Sequence, residues 1–102
     1  MLFDWDEDKR EKTLIKRRID FVDAARVWED PRRQERVDFR HNYEEKRIQT
    51  IGKVSFGILL VVYTERVNEN DQEIIRIISA RKASRKERTE YENHTFHLRK
   101  TL

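Results

Sequence analysis

The chain has 102 residues, 42% of them charged and 36% hydrophobic, with 23 Lys+Arg against 20 Asp+Glu and a net charge of +3. That composition describes one domain with a thin core beneath a dense ionic surface, and the small net charge argues against disorder. It contains no cysteine, which excludes disulfides, thiolate metal sites and a cysteine nucleophile, and its longest apolar run, Ile58 to Tyr63, is too short to span a bilayer.

No basic–apolar–small signal segment opens the chain, so a cytoplasmic protein without membrane contact is expected. Leu2, Phe3 and Trp5 predict a short edge strand. Asp6, or Asp4 with Glu7, supplies a cap for a helix over about 7–18, whose apolar content is little more than Leu14 and Ile15. Asp20 caps a second helix over about 20–30, with Phe21, Ala24, Ala25 and Trp28 on one face and Pro31 as its stop. The period then turns extended. Strands are predicted over 35–39, 46–53, 57–66 and 74–81, joined by hairpins around Ser55-Phe56 and Asn68 to Gln72. Ser84-x-x-Glu87 has the form of a capping box and opens a last helix. Residues 93–102 form a C-terminal extension that is either lightly docked or mobile. The order β-α-α-β-β-β-β-α predicts an α+β domain over residues 1–92: two N-terminal helices packed on a four- to five-stranded antiparallel sheet, with a C-terminal helix.

Charge is unevenly distributed. Residues 81–102 sum to +4, with seven basic and three acidic side chains, and a positive end points to an anionic partner. Arg76-Ile77-Ile78-Ser79-Ala80-Arg81 threads two guanidinium groups through a β-branched strand, and guanidinium forks suit phosphate or carboxylate. If Arg66 faces Ile74 across the hairpin, Thr64 lies opposite Arg76 with Arg66 diagonal to it. A one-residue shift groups Glu65 with Arg76 instead. Arg81 leaves the strand beside a helix N-terminus, a place that favours anions. Glu87 is a cap residue, or a carboxylate among arginines able to act as general base. His41 and Tyr43 offer a proton donor and a stacking ring, or simply a turn. His94 and His97 are a weak metal pair with no third ligand at defined spacing.

The combination Phe3-Asp4-Trp5-Asp6-Glu7-x-Lys9-Arg10, Lys16-x-x-Ile19-Asp20-Phe21-x-Asp23-Ala24, Arg40-His41-x-Tyr43, Gly52, Val62-x-Thr64-Glu65-Arg66 and Arg76 to Arg81 with Ala83, Glu87, Arg88 and Tyr91 resembles the BrnT family. The chain departs from that pattern at Lys16-Arg17-Arg18, where many members read Lys-His-Gly, at Thr13 for Asn, and at Glu44 for Gly. The resemblance implies a RelE-like fold and a toxin of a type II toxin–antitoxin system that cleaves RNA and stops translation. It also implies a BrnA-like antitoxin partner, through which alone operator DNA is reached. On that reading the expected enzyme is a metal-independent endoribonuclease without a cofactor, in which the substrate 2′-OH attacks the adjacent phosphodiester. Arg66, Arg76 and Arg81 hold the phosphate, Glu87 or alternatively His41 or Glu65 moves protons, and Lys16, Arg85, Lys86 and Arg88 guide the RNA backbone. The competing expectation is a catalytically weak module whose basic face only docks its antitoxin.

Overall fold

The computed structural model describes residues 1–40 and 45–98; His41 and Tyr43 lie outside the described residues. Five strands form one sheet: β1 (Leu2–Trp5), β2 (Gln34–Val37), β3 (Ile48–Val54), β4 (Gly57–Val67) and β5 (Glu73–Lys82), in the order β1-β5-β4-β3-β2. The helices are α1 (Glu7–Arg17), α2 (Phe21–Ala24) and α3 (Arg85–Glu92), with 3-10 turns at Ala25–Glu29 and Phe96–Leu98. The domain is α+β as expected, and β4 is its central strand. Two expectations need correction.

The sheet is mixed rather than wholly antiparallel, because β1 runs parallel to β5, with Leu2 opposite Ile74 and Trp5 opposite Ile77. The direction of an edge strand is set by where the chain goes next. Here α1 packs against β5, and the 3-10 turn packs on β3, so the chain crosses the sheet and starts β2 at the far edge. The second helix is also shorter than predicted, giving way to a 3-10 turn after Ala24. At three residues per turn the inward positions become Phe21, Ala24 and Val27, all fully buried, while Ala25 and Trp28 pack at the core margin.

Alternation along β4 divides the sheet. Leu59, Val61 and Tyr63 face α2 and its 3-10 turn, whereas Leu60, Val62 and Thr64 face the other way. Helix α1 buries no residue. It is held by polar contacts: Arg10 clasps Asp20 with bonds of 2.8 and 3.1 Å, and Arg17 donates to the carbonyl of Ala80 (3.0 Å). It ends at Arg18, which takes the left-handed conformation (φ 60°) that glycine adopts most readily. On the second face, α3 and the following turn cover one half of the sheet, with Tyr91 and Phe96 buried against Ile51 and Leu60.

Gly52 lies where the 3-10 turn meets the sheet. A Cβ there would stand 2.6 Å from Val27 Cγ1 and 3.1 Å from the Val27 carbonyl oxygen. Gly52→Ala should therefore destabilise the fold by about 1–3 kcal/mol, as overpacking does. Denaturant unfolding should show a lower midpoint at unchanged m, partly restored by adding Val27→Ala. An unchanged midpoint for Gly52→Ala would contradict this packing.

Candidate active site on the open half of the sheet

The half of the second face left uncovered by α3 carries Thr64, Arg66 and Arg76. The register is the first of the two considered, with Arg66 opposite Ile74 and Thr64 opposite Arg76. Thr64 is buried and donates to the Lys46 carbonyl (2.8 Å), tying the entry of β3 to the end of β4. Arg66 and Arg76 line a small cavity of about 160 Å³ together with Lys9, Arg47, Asp6 and Glu45. Their ion pairs are slack: Arg66 to Glu45 at 3.4 Å and Arg76 to Asp4 at 3.2 Å, both partly exposed. An incoming phosphate displaces such partners at small cost, since exposed pairs are worth about 0–1 kcal/mol. Lys9 enters the sequence reading only within the family pattern and Arg47 not at all, because nothing local marks either as a neighbour of Arg66 and Arg76.

The strand pairing contains an irregularity that matters here. Val62 pairs with Ser79 but Tyr63 pairs with Ile77, so Ile78 is an extra residue, a β-bulge. It places Arg76, opposite Thr64, and Arg81, opposite Leu60, on the same face.

Arg81 nevertheless does not enter the cavity. It lies about 14 Å along the strand from Arg76, at ~3.4 Å per residue, and its fork is occupied. Its Nη1 donates to Glu87 Oε1 (2.7 Å) and its Nη2 to Glu87 Oε2 (2.9 Å). Glu87 Oε1 also accepts from the Ser84 N–H (2.8 Å), and Ser84 Oγ accepts from the Glu87 N–H (3.2 Å), completing the predicted capping box. Burial alone would push the Glu87 carboxyl up, but the bonds from Arg81 and the Ser84 backbone outweigh it and hold the group at about 2. At neutral pH Glu87 is thus ionised and fully engaged. Glu65 pairs with Ile75 and points to the opposite, helix-covered face. Lys16 is exposed on α1, and Arg85, Lys86 and Arg88 are exposed on α3.

The larger depression beside the 3-10 turn, about 530 Å³, is lined by charges of both signs, including Asp23, Arg26, Glu29 and Lys53, and has no cationic focus. Tyr63, which donates to Glu35 (2.7 Å), has its pKa driven up by burial and by that carboxylate, so it is a poor proton donor at neutral pH. Among the described residues no group of three or more His, Cys, Asp or Glu could hold a metal ion. His97 Nδ1 is 3.1 Å from Gln34 Oε1, and its ring centroid lies 4.9 Å from that of His94.

Because the Glu87 carboxyl is depressed in the folded state from an ordinary value of 4.5 to about 2, its contribution is complete above pH 4.5 and is lost as pH falls towards 2. Glu87→Gln should cost about 1.5–3 kcal/mol at pH 7, the range for hydrogen bonds to a charged group. Chemical denaturation against pH should show the gap from wild type closing through that acid window. A gap that stays constant down to pH 2 would contradict the pairing.

No curated protein matches the chain. Residues 5–87, most of the chain, match a family described as the ribonuclease toxin BrnT of type II toxin–antitoxin systems. The match runs from the end of β1 to the capping box and takes in Arg66, Arg76, Arg81 and Glu87, so a nuclease is favoured over a docking module without chemistry. With a phosphate-sized cationic cavity inside the matched region, the chain belongs to the BrnT family of ribonuclease toxins.

Proposed function

We propose that the open half of the sheet is the ribonuclease centre and that it works without a metal. The observation that carries this reading is the meeting of Arg66 and Arg76 in one cavity, both with slack partners. Cleavage by the substrate's own 2′-OH builds negative charge on a pentavalent phosphorane. Preorganised guanidinium donors stabilise that charge in a site partly screened from water. The 2′-oxygen bonds to phosphorus as the 5′-oxygen leaves, giving a cyclic phosphate and a free 5′-hydroxyl after one proton is accepted and one returned.

With Glu87 acting as the anchor of Arg81 and Glu65 on the other face, the proton-transfer role falls to His41. Glu45 is the alternative, because it lines the cavity beside Arg66, whereas the other carboxylate there, Asp6, caps α1. Tyr43 stacks a base. Arg81, held rigid by Glu87, and Arg85, Lys86 and Arg88 steady the RNA backbone further along the same face, and Lys16 does so from α1. The fold is RelE-like in this reading, the RNA is messenger whose loss stops translation, and the protein acts in the cytoplasm. Type II toxins of this family have an antitoxin partner. We take that antitoxin to be BrnA-like, with operator DNA contacted only through it.

Purified protein should cleave RNA in EDTA and leave 2′,3′-cyclic phosphate ends. A 2′-deoxy nucleotide at the cleaved position should block the reaction. Arg76→Gln should lower kcat by about 10²–10³-fold, by analogy with loss of one oxyanion donor, with a nearly unchanged melting temperature because its pair with Asp4 is exposed. Loss of cleavage on chelation, restored by a divalent ion, would overturn the mechanism. Arg76→Gln activity within a few-fold of wild type would remove Arg76 from the centre.

A further inference from the structure

Helix α1 presents its charges in an unusual way. Lys9, Lys12, Thr13 and Lys16 fall at i, i+3, i+4 and i+7, the spacing of one helix face, and this is the face that lines a groove of about 220 Å³ against Ile78 and Ser79 of β5. The apolar residues Leu14 and Ile15 point to solvent instead, at 41% and 72% exposure. In an ordinary surface helix the arrangement is the reverse.

None of the three lysines has an ion-pair partner among the described residues, although α1 also carries Glu7, Asp8 and Glu11. Like charges at i, i+3 and i+4 are destabilising by about 0.2–0.5 kcal/mol per pair. The hydroxyls of Thr13 and Ser79 in the same groove are half-buried and make no hydrogen bond within the described residues. Beyond Ile77, β5 has no strand neighbour on this side, and α1 stands there in place of a strand. The groove thus gathers unneutralised cations and unused hydroxyl donors along a clear path. Lys9 and Ile78 line both this groove and the arginine cavity, so the two adjoin.

We propose that the groove between α1 and β5 is a second subsite, which takes the phosphodiester backbone of the RNA strand as it leaves the arginine cavity. This rests on that cavity being the nuclease centre. From Lys9 to Lys16 the helix advances about 10 Å, a length over which a strand passes more than one phosphate across the lysines. The contacts go to phosphate oxygens, so the subsite adds affinity without sequence preference. The strand is thereby directed across α1, at the edge of the sheet.

The test is binding of a 2′-O-methyl oligonucleotide, which resists cleavage by 2′-OH attack, followed by fluorescence anisotropy against salt. Lys12→Gln/Lys16→Gln should weaken a strand of about ten nucleotides roughly tenfold at low salt and flatten the log–log salt slope by about 1.4, the value for two phosphate contacts on a single strand. Its melting temperature should equal or exceed that of wild type, since repulsion is relieved. Arg26→Gln/Lys53→Gln removes the same charge from the depression beside the 3-10 turn and should leave the slope unchanged. An unchanged slope for the lysine pair, or an equal loss in the control, would overturn the subsite. Weaker binding of the antitoxin with RNA affinity intact would assign the groove to the protein partner and overturn it likewise. Arg76→Gln binding and kinetics report separately on the cavity: if Arg76→Gln is silent, the nuclease-centre reading fails, whatever the lysine pair does.

Discussion

Arg76 and Arg81 are five residues apart, and in a regular strand an odd separation puts side chains on opposite faces of the sheet. The extra residue at Ile78 cancels that parity. Before it, Ile75 and Ile77 enter the core under the helices while Arg76 faces outward; after it, Ala80 enters the core and Arg81 faces outward. Without the bulge, one end of β5 would bury arginine and expose its isoleucines. The bulge therefore satisfies the core and collects cations on the second face at once. Ile78 itself lies at the junction of the arginine cavity and the α1 groove.

A chain so rich in charge closes the rest of that face with polar contacts as well as apolar ones. Arg36 is buried at 8% exposure, with Nε donating to Gln49 Oε1 (3.0 Å), Nη1 donating to the Phe96 carbonyl (3.3 Å), and its guanidinium 3.8 Å above the Phe96 ring. Gln34 donates to the Tyr91 carbonyl (3.0 Å), and the Tyr91 hydroxyl donates to Asp30 (2.6 Å). A buried guanidinium without such partners would carry a penalty of several kcal/mol, so these bonds make docking of the C-terminal segment specific. Their effect is to cover the β2–β3 half of the face, while Arg66 and Arg76 at the β4–β5 end stay partly exposed.

Local chemistry was well written in the sequence. Asp20, Ser84 and Glu87 cap the helices they were expected to cap, because a cap is decided within three residues. The Arg66–Ile74 register is one of two that the hairpin sequence allows, and the fold selects it. What the sequence hid depends on distant partners. The parallel direction of β1 is fixed by the path of α1 and α2, the shortening of α2 by its fit to Gly52, and the bulge by which isoleucine the core accepts. The candidate site divides the same way. Arg66 and Arg76 were legible as a pair across a hairpin, whereas Arg47 and Lys9 join them only through the fold. The engagement of Arg81 by Glu87 is implicit in a cap residue placed six positions after a strand arginine, but local sequence leaves both the cap and the general-base roles open to Glu87.

The central claim is that RNA lies on the open half of the second sheet face, over the bulged strand. NMR titration of the arginine Nε–Hε signals with a cleavage-resistant RNA strand tests it most directly. The account predicts that Arg66 and Arg76 shift together and saturate at one concentration, while Arg10, locked to Asp20, and Arg36, buried under Phe96, do not move. Shifts confined to Arg26 and Arg33, on the helix-covered side, with Arg66 and Arg76 silent, would contradict it.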